Sequence, residues 1–455
     1  MEKLFGTDGI RGMPGEHPLT DDIVFKLGKA SSYSLLCDHE RKGIHRPINI
    51  VIGKDTRLSG DKIEVMLSSG ITSYEVNVKS VGVISTPGLA YLTKELDADM
   101  GIMISASHNR AEENGIKFFS GAGYKLSQLE ESRIEKLVLD YKSDFDMSKC
   151  NCGTVSFIYD AQDEYIDFLK RSVPGMDLKG QKIILDCAHG AVSDIAPRLF
   201  SEMGADVNSI HCEPNGKNIN LDCGALHPHH TAKTVKKDKA NIGFCFDGDA
   251  DRLIVTDESG NILDGDYIIA IVGRHLMEKG RLPGNTVVTT VMGNYGLEES
   301  IRQAGGKLIR TDVGDRYVVE ECLRNNLIFG GEQSGHIVFL EYSTTGDALI
   351  TALQILSLMK ETKKPLSELA KCMKKYPQIL LNVPVKEKRY IESLPLSSEI
   401  IRQAEERLGD RGRVLVRYSG TESLCRVMVE GEKEGLIKEI AHSIAKAIDK
   451  EIGTG

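Results

Sequence analysis

One pattern restricts this chain more than any other: an apolar run of strand length, a helix-period segment and another apolar run, repeated in three successive stretches. The first stretch runs from INIVIG through a helix from Asp61 to Ser73 into VKSVGV, then through a helix from Thr86 to Leu96 into GIMISA. The second reads KIILDCA, a helix after Gly190, ADVNSI and NIGFCF. The third reads NTVVTTVM, a helix from Tyr295, KLIRTDV, a helix from Asp315 and LIFGG. Strands joined by helical crossovers form a mainly parallel sheet with helices on both faces. From Pro377 the order changes to strand, helix, two strands around RVLVRYSGTESLCRVMVEGE and a closing helix, which predicts a small antiparallel α+β unit. A chain of 455 residues is too long for one core. Breaks near Gly153, Asp257 and Lys374 give the expected division: three similar α/β domains with mixed, mainly parallel sheets at 1–153, 154–256 and 257–373, and an α+β domain at 374–455.

In open α/β sheets the ligand sits beyond the carboxyl ends of the strands. That rule points to the loops after GIMISA, NIGFCF and LIFGG. The second loop, FDGDADR, carries Asp247, Asp249 and Asp251. Three acids at alternate positions on a short turn repel one another unless a cation or a hydrogen-bond net absorbs the charge. A solvated acidic turn is the plain alternative, and the apolar strands NIGFCF and LIVTD on either side argue against it. An EF-hand loop is excluded despite Glu258 at the twelfth place, because its sixth place holds Arg252 instead of glycine and strands flank it instead of helices. A few carboxylates with room for a phosphate oxygen suit Mg²⁺.

The loop GGEQSGH offers Glu332, Ser334 and His336 on a glycine-rich turn, a pairing of acceptor and donor that suits sugar hydroxyls. A plain hairpin explains its glycines equally well. RYSGTES sets Arg417, Ser419, Gly420, Thr421 and Ser423 in one turn, with Arg426 just beyond. Hydroxyls, exposed backbone N–H groups and a guanidinium fork make an anion cradle, phosphate above all. Hairpin chemistry alone also accounts for Ser-Gly-Thr.

In ISASHN, Ser107 and His108 stand at a strand exit. No Gly-x-Ser-x-Gly elbow surrounds the serine, and neighbouring side chains on an extended segment point apart, so a hydrolase triad is disfavoured. A serine facing a cation site and a phosphate cradle suits a phosphoryl carrier, with Lys117 of NGIKFF to hold the charge of that group or move a proton.

Bulk properties narrow the partners. A formal net charge of -9 opposes general nucleic-acid binding. The N-terminal MEKLFGTDGIRG lacks a signal-peptide pattern, and no apolar run is long enough to span a membrane, so the expectation is a cytoplasmic protein with no membrane partner. The ten cysteines are scattered through a long chain and read as reduced thiols. Cys150 and Cys152 lack a second pair at zinc spacing. In ALHPHH, His227, His229 and His230 have only Cys223 as a potential partner and read as loop and helix-start residues rather than a metal site.

ISASHN, DGDADR, GEQSGH and RYSGTES, in this order and spacing, resemble the phosphohexomutases, the α-D-phosphoglucomutase and phosphomannomutase superfamily, over essentially the whole chain. FGTDGIRG, NGIKFFS, CEPNG, VGDRYV and Gln333 resemble the branch that interconverts glucosamine 6-phosphate and glucosamine 1-phosphate. The resemblance implies a four-domain, heart-shaped enzyme around a central cleft, with Ser107 as phosphoserine. It further implies Mg²⁺, one per subunit, on Asp247, Asp249, Asp251 and the Ser107 phosphate. Glu332 and Ser334 then bind sugar hydroxyls, and Arg417, Ser419, Gly420 and Thr421 hold the idle phosphate. Arg11, His108, Lys117, Arg252 and His336 match positions that line the same site, with Lys117 and His336 placed for proton handling. A phosphosugar substrate, a glucose or glucosamine 1,6-bisphosphate activator and a homodimer complete the expectation. Arg110 where proline is usual, Ala250 for glycine, Ser423 for proline and His189 for asparagine depart from the family pattern. None of them removes a group that the chemistry needs. The rival readings are the same reaction on mannose or glucose phosphates and a non-catalytic sugar-phosphate-binding protein.

Overall fold

The computed structural model describes residues 3–6, 8–140, 152–419 and 423–454. Its four sheets follow the repeated pattern. The first has the order Ile10–Gly12, Asn114–Ser120, Met100–Ile104, Ile48–Lys54, Val76–Val83, Val155–Phe157. Ile48–Lys54 lies parallel to both of its neighbours, and Asn114–Ser120 runs antiparallel to Met100–Ile104. In the second sheet Lys182–Asp186 is parallel to Asp206–Ile210 and to Ile242–Phe246, and Leu253–Asp257 returns antiparallel. In the third, Thr286–Thr290 is parallel to Lys307–Thr311 and Phe329–Gly331, and Ile337–Phe339 returns antiparallel. The fourth is the antiparallel set Gln378–Pro384, Leu424–Gly431, Gly412–Tyr418.

A shared device follows from this topology. In each α/β unit a fully buried strand leaves the parallel core and turns back as a hairpin, and the turn emerges at the carboxyl edge of the sheet. Strands buried on both faces carry unbroken apolar runs, which is why IGFCF and MGIMI lack polar alternation. The hairpin turns after residues 104, 246 and 331 hold the chemically unusual residues, and the turn after Tyr418 belongs to the fourth sheet.

Helices close the layers where the sequence supplies caps. Ser85 accepts from Gly88 N at 3.1 Å to start Thr86–Glu95, and Asp347 accepts from Leu349 N and Ile350 N to start Ala348–Thr362. One continuous apolar core runs from the first α/β unit through the third, whereas the fourth unit has a core of its own. The helix expected after Gly190 runs from Ile195 to Glu202, once Ala188 and His189, in left-handed backbone, have turned the chain. Among the described residues no helix is long and apolar enough to cross a membrane.

Candidate active site

Ser107 does not continue the extended strand. Its φ is 51°, a left-handed turn in which Ser105 Oγ accepts from its N–H at 2.9 Å. The turn corrects the geometry expected from the sequence: the side chains of Ser107 and His108 do not point apart, and Ser107 Oγ lies 3.3 Å from His108 Nδ1. Burial, followed by the charges of Arg252 and Arg11, pulls His108 down to about 4, so this imidazole is neutral near pH 7.

The Ser107 hydroxyl donates to Asp247 Oδ2 at 2.6 Å. Asp247, Asp249 and Asp251 are buried, and one carboxylate oxygen from each lies within 4.8 Å of the other two. Ala250, at φ 53°, makes the tight turn that gathers them, so alanine serves where glycine would be more at ease. Asp249 Oδ1 and Asp251 Oδ1 are buried without a hydrogen bond. Orphaned oxygens on converging carboxylates are what a hard divalent cation satisfies, and the cluster could hold a metal ion. Burial and the neighbouring Asp251 and Asp249 charges push the Asp247 carboxyl up.

Cations interleave with these acids. Lys117 Nζ, only 2% exposed, reaches Asp249 Oδ2 at 2.8 Å, Asp251 Oδ2 at 3.3 Å and Asp8 Oδ2 at 3.5 Å. Burial works against its charge, but Asp249, Asp8 and Asp251 outweigh it, and the amine stays well above its ordinary range. Lys125 bridges Asp8 and Asp315, and Arg11 also pairs with Asp8. His336 Nε2 accepts from Gly346 N at 3.0 Å and lies 3.4 Å from Asp315 Oδ2, while Nδ1 faces Asp251 Oδ1 at 3.8 Å. Arg252 donates its backbone N–H to Asp247 Oδ1 at 3.1 Å and holds Nε 3.8 Å from Asp251 Oδ1. Around this centre Asp8, Asp247, Asp249, Asp251, Asp315 and Glu332 face Arg11, Lys117, Lys125 and Arg252.

These groups meet at a cleft of about 1120 Å³ lined by Arg11, His108, Asp251, Arg252, Glu332, Gln333, Ser334 and His336. Glu332 Oε1 accepts from Gly314 N at 3.2 Å, and burial pushes its carboxyl up. Gly335 is essential to this hairpin: at φ 94°, a Cβ there would meet Leu253 O at 2.3 Å. Ser107, Lys117, Asp247 and Asp249 lie behind the lining, and Ser107 is only 1% exposed.

The cradle of the fourth unit stands apart from the acid cluster. Arg417 and Arg426 face each other across the hairpin register, and Arg417 Nη2 rests 4.0 Å from Sδ of Met292, a cleft residue. Burial and the Arg426 charge lower Arg417 from its ordinary value. Like charges opposed across a ladder favour a bound anion. Lys388 Nζ donates to Ser419 O at 2.6 Å and adds a third cation. Gly420 and Thr421 lie outside the described residues. Glu258 does not join the acids; it pairs with Ser367. Arg110 is exposed.

Several site residues escaped the sequence reading. Arg57, buried against Asp55, donates to Ser107 O at 3.2 Å and to Asn109 O at 2.7 Å. Asn220 Nδ2 donates to the same two carbonyls, both at 2.9 Å. Thr86 Oγ1 donates to Asp249. Gly248 admits the close approach, since a Cβ there would meet Ser107 O at 2.6 Å. Asp8 lies inside the quoted FGTDGIRG and was visible there; Arg57 and Asn220 sit in ordinary polar loops and gave no local signal. The contacts predict that Asn220→Gly, which keeps the left-handed backbone at φ 58°, lowers kcat about 10- to 100-fold with KM little changed. Steady-state kinetics checks this, and a change confined to KM contradicts it.

Comparison with known proteins places these features in a wider set. The sequence models described as "Phosphoglucomutase/phosphomannomutase" match in four successive pieces: alpha/beta/alpha domain I at residues 2–144, domain II at 163–260, domain III at 264–376 and the C-terminal domain at 380–447. The phosphoglucosamine mutase of Syntrophotalea carbinolica is 48% identical over 454 residues, covering 99% of this chain and 98% of its own. Among solved structures, a phosphoglucomutase/phosphomannomutase family protein from Burkholderia thailandensis superposes with a TM-score of 0.79 at 21% identity, over 98% of this chain and 97% of its own. The N-acetylphosphoglucosamine mutase of Aspergillus fumigatus, solved with GlcNAc-6P and magnesium, gives 0.67 at 18% identity, over 99% and 96%.

Proposed function

Because the chain belongs to the phosphoglucomutase/phosphomannomutase family, we propose that it works as a phosphoglucosamine mutase, an isomerase that interconverts glucosamine 6-phosphate and glucosamine 1-phosphate. The carrying observation is the Ser107 hydroxyl, 2.6 Å from Asp247 at the edge of the acid cluster and beside the cleft. In this reading phosphorylated Ser107 gives its phosphoryl group to the free hydroxyl of the bound sugar. The P–Oγ bond breaks as the new P–O bond forms, and the hydroxyl proton leaves for a nearby base. The resulting glucosamine 1,6-bisphosphate reverses in the cleft and returns its other phosphoryl group to Ser107.

Each residue has a part in that sequence. Asp247, Asp249, Asp251 and the Ser107 phosphate would hold Mg²⁺, which when bound offsets charge on the transferring oxygens. Lys117, held protonated by its carboxylates, serves as a fixed cation toward the same group rather than as a proton carrier. Proton movement falls to the imidazoles: His108 beside Ser107 Oγ, and His336 between Asp251 and Asp315. Arg11 and Arg252 orient the reacting phosphoryl group, and Glu332 and Ser334 bind sugar hydroxyls. Arg417 and Ser419, with Gly420 and Thr421, hold whichever phosphate is idle. The separate core of the fourth unit lets that cradle move while the bisphosphate turns. The units are 1–153, 154–256, 257–373 and 374–455, in a cytoplasmic homodimer activated by glucose or glucosamine 1,6-bisphosphate.

The test is an isomerisation assay with glucosamine, mannose and glucose phosphates side by side, with a trace of the matching bisphosphate. Glucosamine phosphate is expected to turn over fastest, and chelation of divalent ions is expected to abolish the rate until Mg²⁺ is restored. Faster turnover of mannose or glucose phosphate transfers the reading to those sugars. Tight binding without turnover of any of them leaves a sugar-phosphate-binding protein.

A further inference from the structure

We propose that the second sheet carries a second metal site, separate from the acid cluster, in which Asp186, His211 and Cys223 bind a zinc-type ion. One ligand atom from each of the three lies within 4.8 Å of the other two. The topology brings them together. Asp186 ends Lys182–Asp186, His211 follows the parallel neighbour Asp206–Ile210, and Cys223 enters the turn Gly224–Leu226. A carboxylate, an imidazole and a thiol form the mixed donor set of a borderline-soft, tetrahedral ion and not of Mg²⁺, which takes oxygen ligands.

A second observation points to a ligand. His211 Nδ1 already faces Asp186 Oδ1 at 3.1 Å, so imidazole and carboxylate converge on one point. An ion bound by both atoms would stand where the two now pair. Asp186 is oriented as ligating carboxylates are: Ala188 N donates to its Oδ1 at 3.1 Å and Thr231 Oγ1 donates to its Oδ2 at 3.3 Å. The fourth position falls to water; the exposed ring of His230 packs edge-on to His211 with centroids 5.8 Å apart. His189 is not available through Nδ1, which accepts from Glu213 N at 3.1 Å. The thiol of Cys223, pushed up by burial and by Asp186 and Asp222, loses its proton to solvent when the ion binds.

The site would act through the loop that it closes. Between His211 and Cys223 lies Asn220, whose amide holds the carbonyls of Ser107 and Asn109. An ion at both ends of that loop fixes the residue that positions the phosphoryl carrier.

The experiment uses the full chain, freed of metal under a phosphine reductant and titrated with Co²⁺ in excess Mg²⁺, which keeps the oxygen-only cluster filled. One equivalent is expected to give a thiolate-to-cobalt charge-transfer band, which the aspartate cluster cannot produce because it has no thiol. Cys223→Ser is expected to abolish the band, and His211→Gln to weaken Co²⁺ binding about tenfold or more. The site is overturned if wild type gives no such band, if the band survives Cys223→Ser, or if His211→Gln binds Co²⁺ as tightly as wild type. The last comparison holds whether or not the cysteine variant folds.

Discussion

Ser107→Ala is expected to lower isomerisation by on the order of 10⁴-fold while leaving the fold intact. The variant loses the only atom that the proposed reaction uses to store a phosphoryl group, so the loss falls on kcat and not on sugar affinity. Its structural effect is small. Alanine keeps the single β-carbon at φ 51°, and the lost hydrogen bond runs to Asp247, a carboxyl that burial and its acidic neighbours already push toward the protonated form. Coupled assays with and without added bisphosphate, together with intact-mass detection of a phosphoryl group on wild type alone, measure the effect. Activity within tenfold of wild type would sink the assignment of Ser107.

Lys117→Met carries the second largest effect, and it divides into stability and rate. Methionine fills a similar volume but leaves Asp8, Asp249 and Asp251 without their shared buried cation. Breaking such a network costs about 3–5 kcal/mol, because the remaining charges stay desolvated. Excess Mg²⁺ is expected to recover part of the stability, since it offsets the same carboxylates. It is not expected to recover turnover, which drops on the order of 10³-fold when a fixed cation at the transferring group is lost. The pH dependence has a definite sign. Lys117 is raised above its ordinary 10.5, so its contribution is complete below that pH and fades only as pH climbs past it. Asp8 and Asp251 are lowered beneath 3.8, the net result of burial opposed by Lys117 and its neighbours, so their share is present above that value and lost on acidification. Denaturant unfolding should therefore show a deficit in Lys117→Met that is flat from about pH 6 to 9 and shrinks in strong acid. A deficit that vanishes near neutrality would contradict the network.

The charge arrangement also explains why the cluster tolerates so many buried acids. Asp249 and Asp251 each keep one oxygen without a hydrogen bond, a cost accepted where an ion is to be held. The arginines of the fourth unit do the converse: Arg417 and Arg426 oppose each other and favour an anion. The acid cluster and the opposed arginines lie on different sheets.

Fold class and the unusual loops at the strand exits are legible in the local pattern of the chain. Strand and helix periods are local properties, and burial on both faces of a parallel strand leaves apolar runs such as IGFCF that can be read directly. The candidate groups of ISASHN, DGDADR and GEQSGH stand out for a related reason, since each follows such a run without a break. What those loops touch depends on packing in three dimensions. The left-handed turn at Ser107, which brings His108 to its hydroxyl, contradicts the extended exit that the strand pattern implied. Arg57 and Asn220 reach the Ser107 carbonyl from 50 and 113 residues away, and Asp186, His211 and Cys223 meet from three separate segments. Periodicity records which face of an element is buried. It does not record which distant polar group satisfies a given carbonyl or ring nitrogen, because that pairing is fixed by the packing of sheets and loops in space.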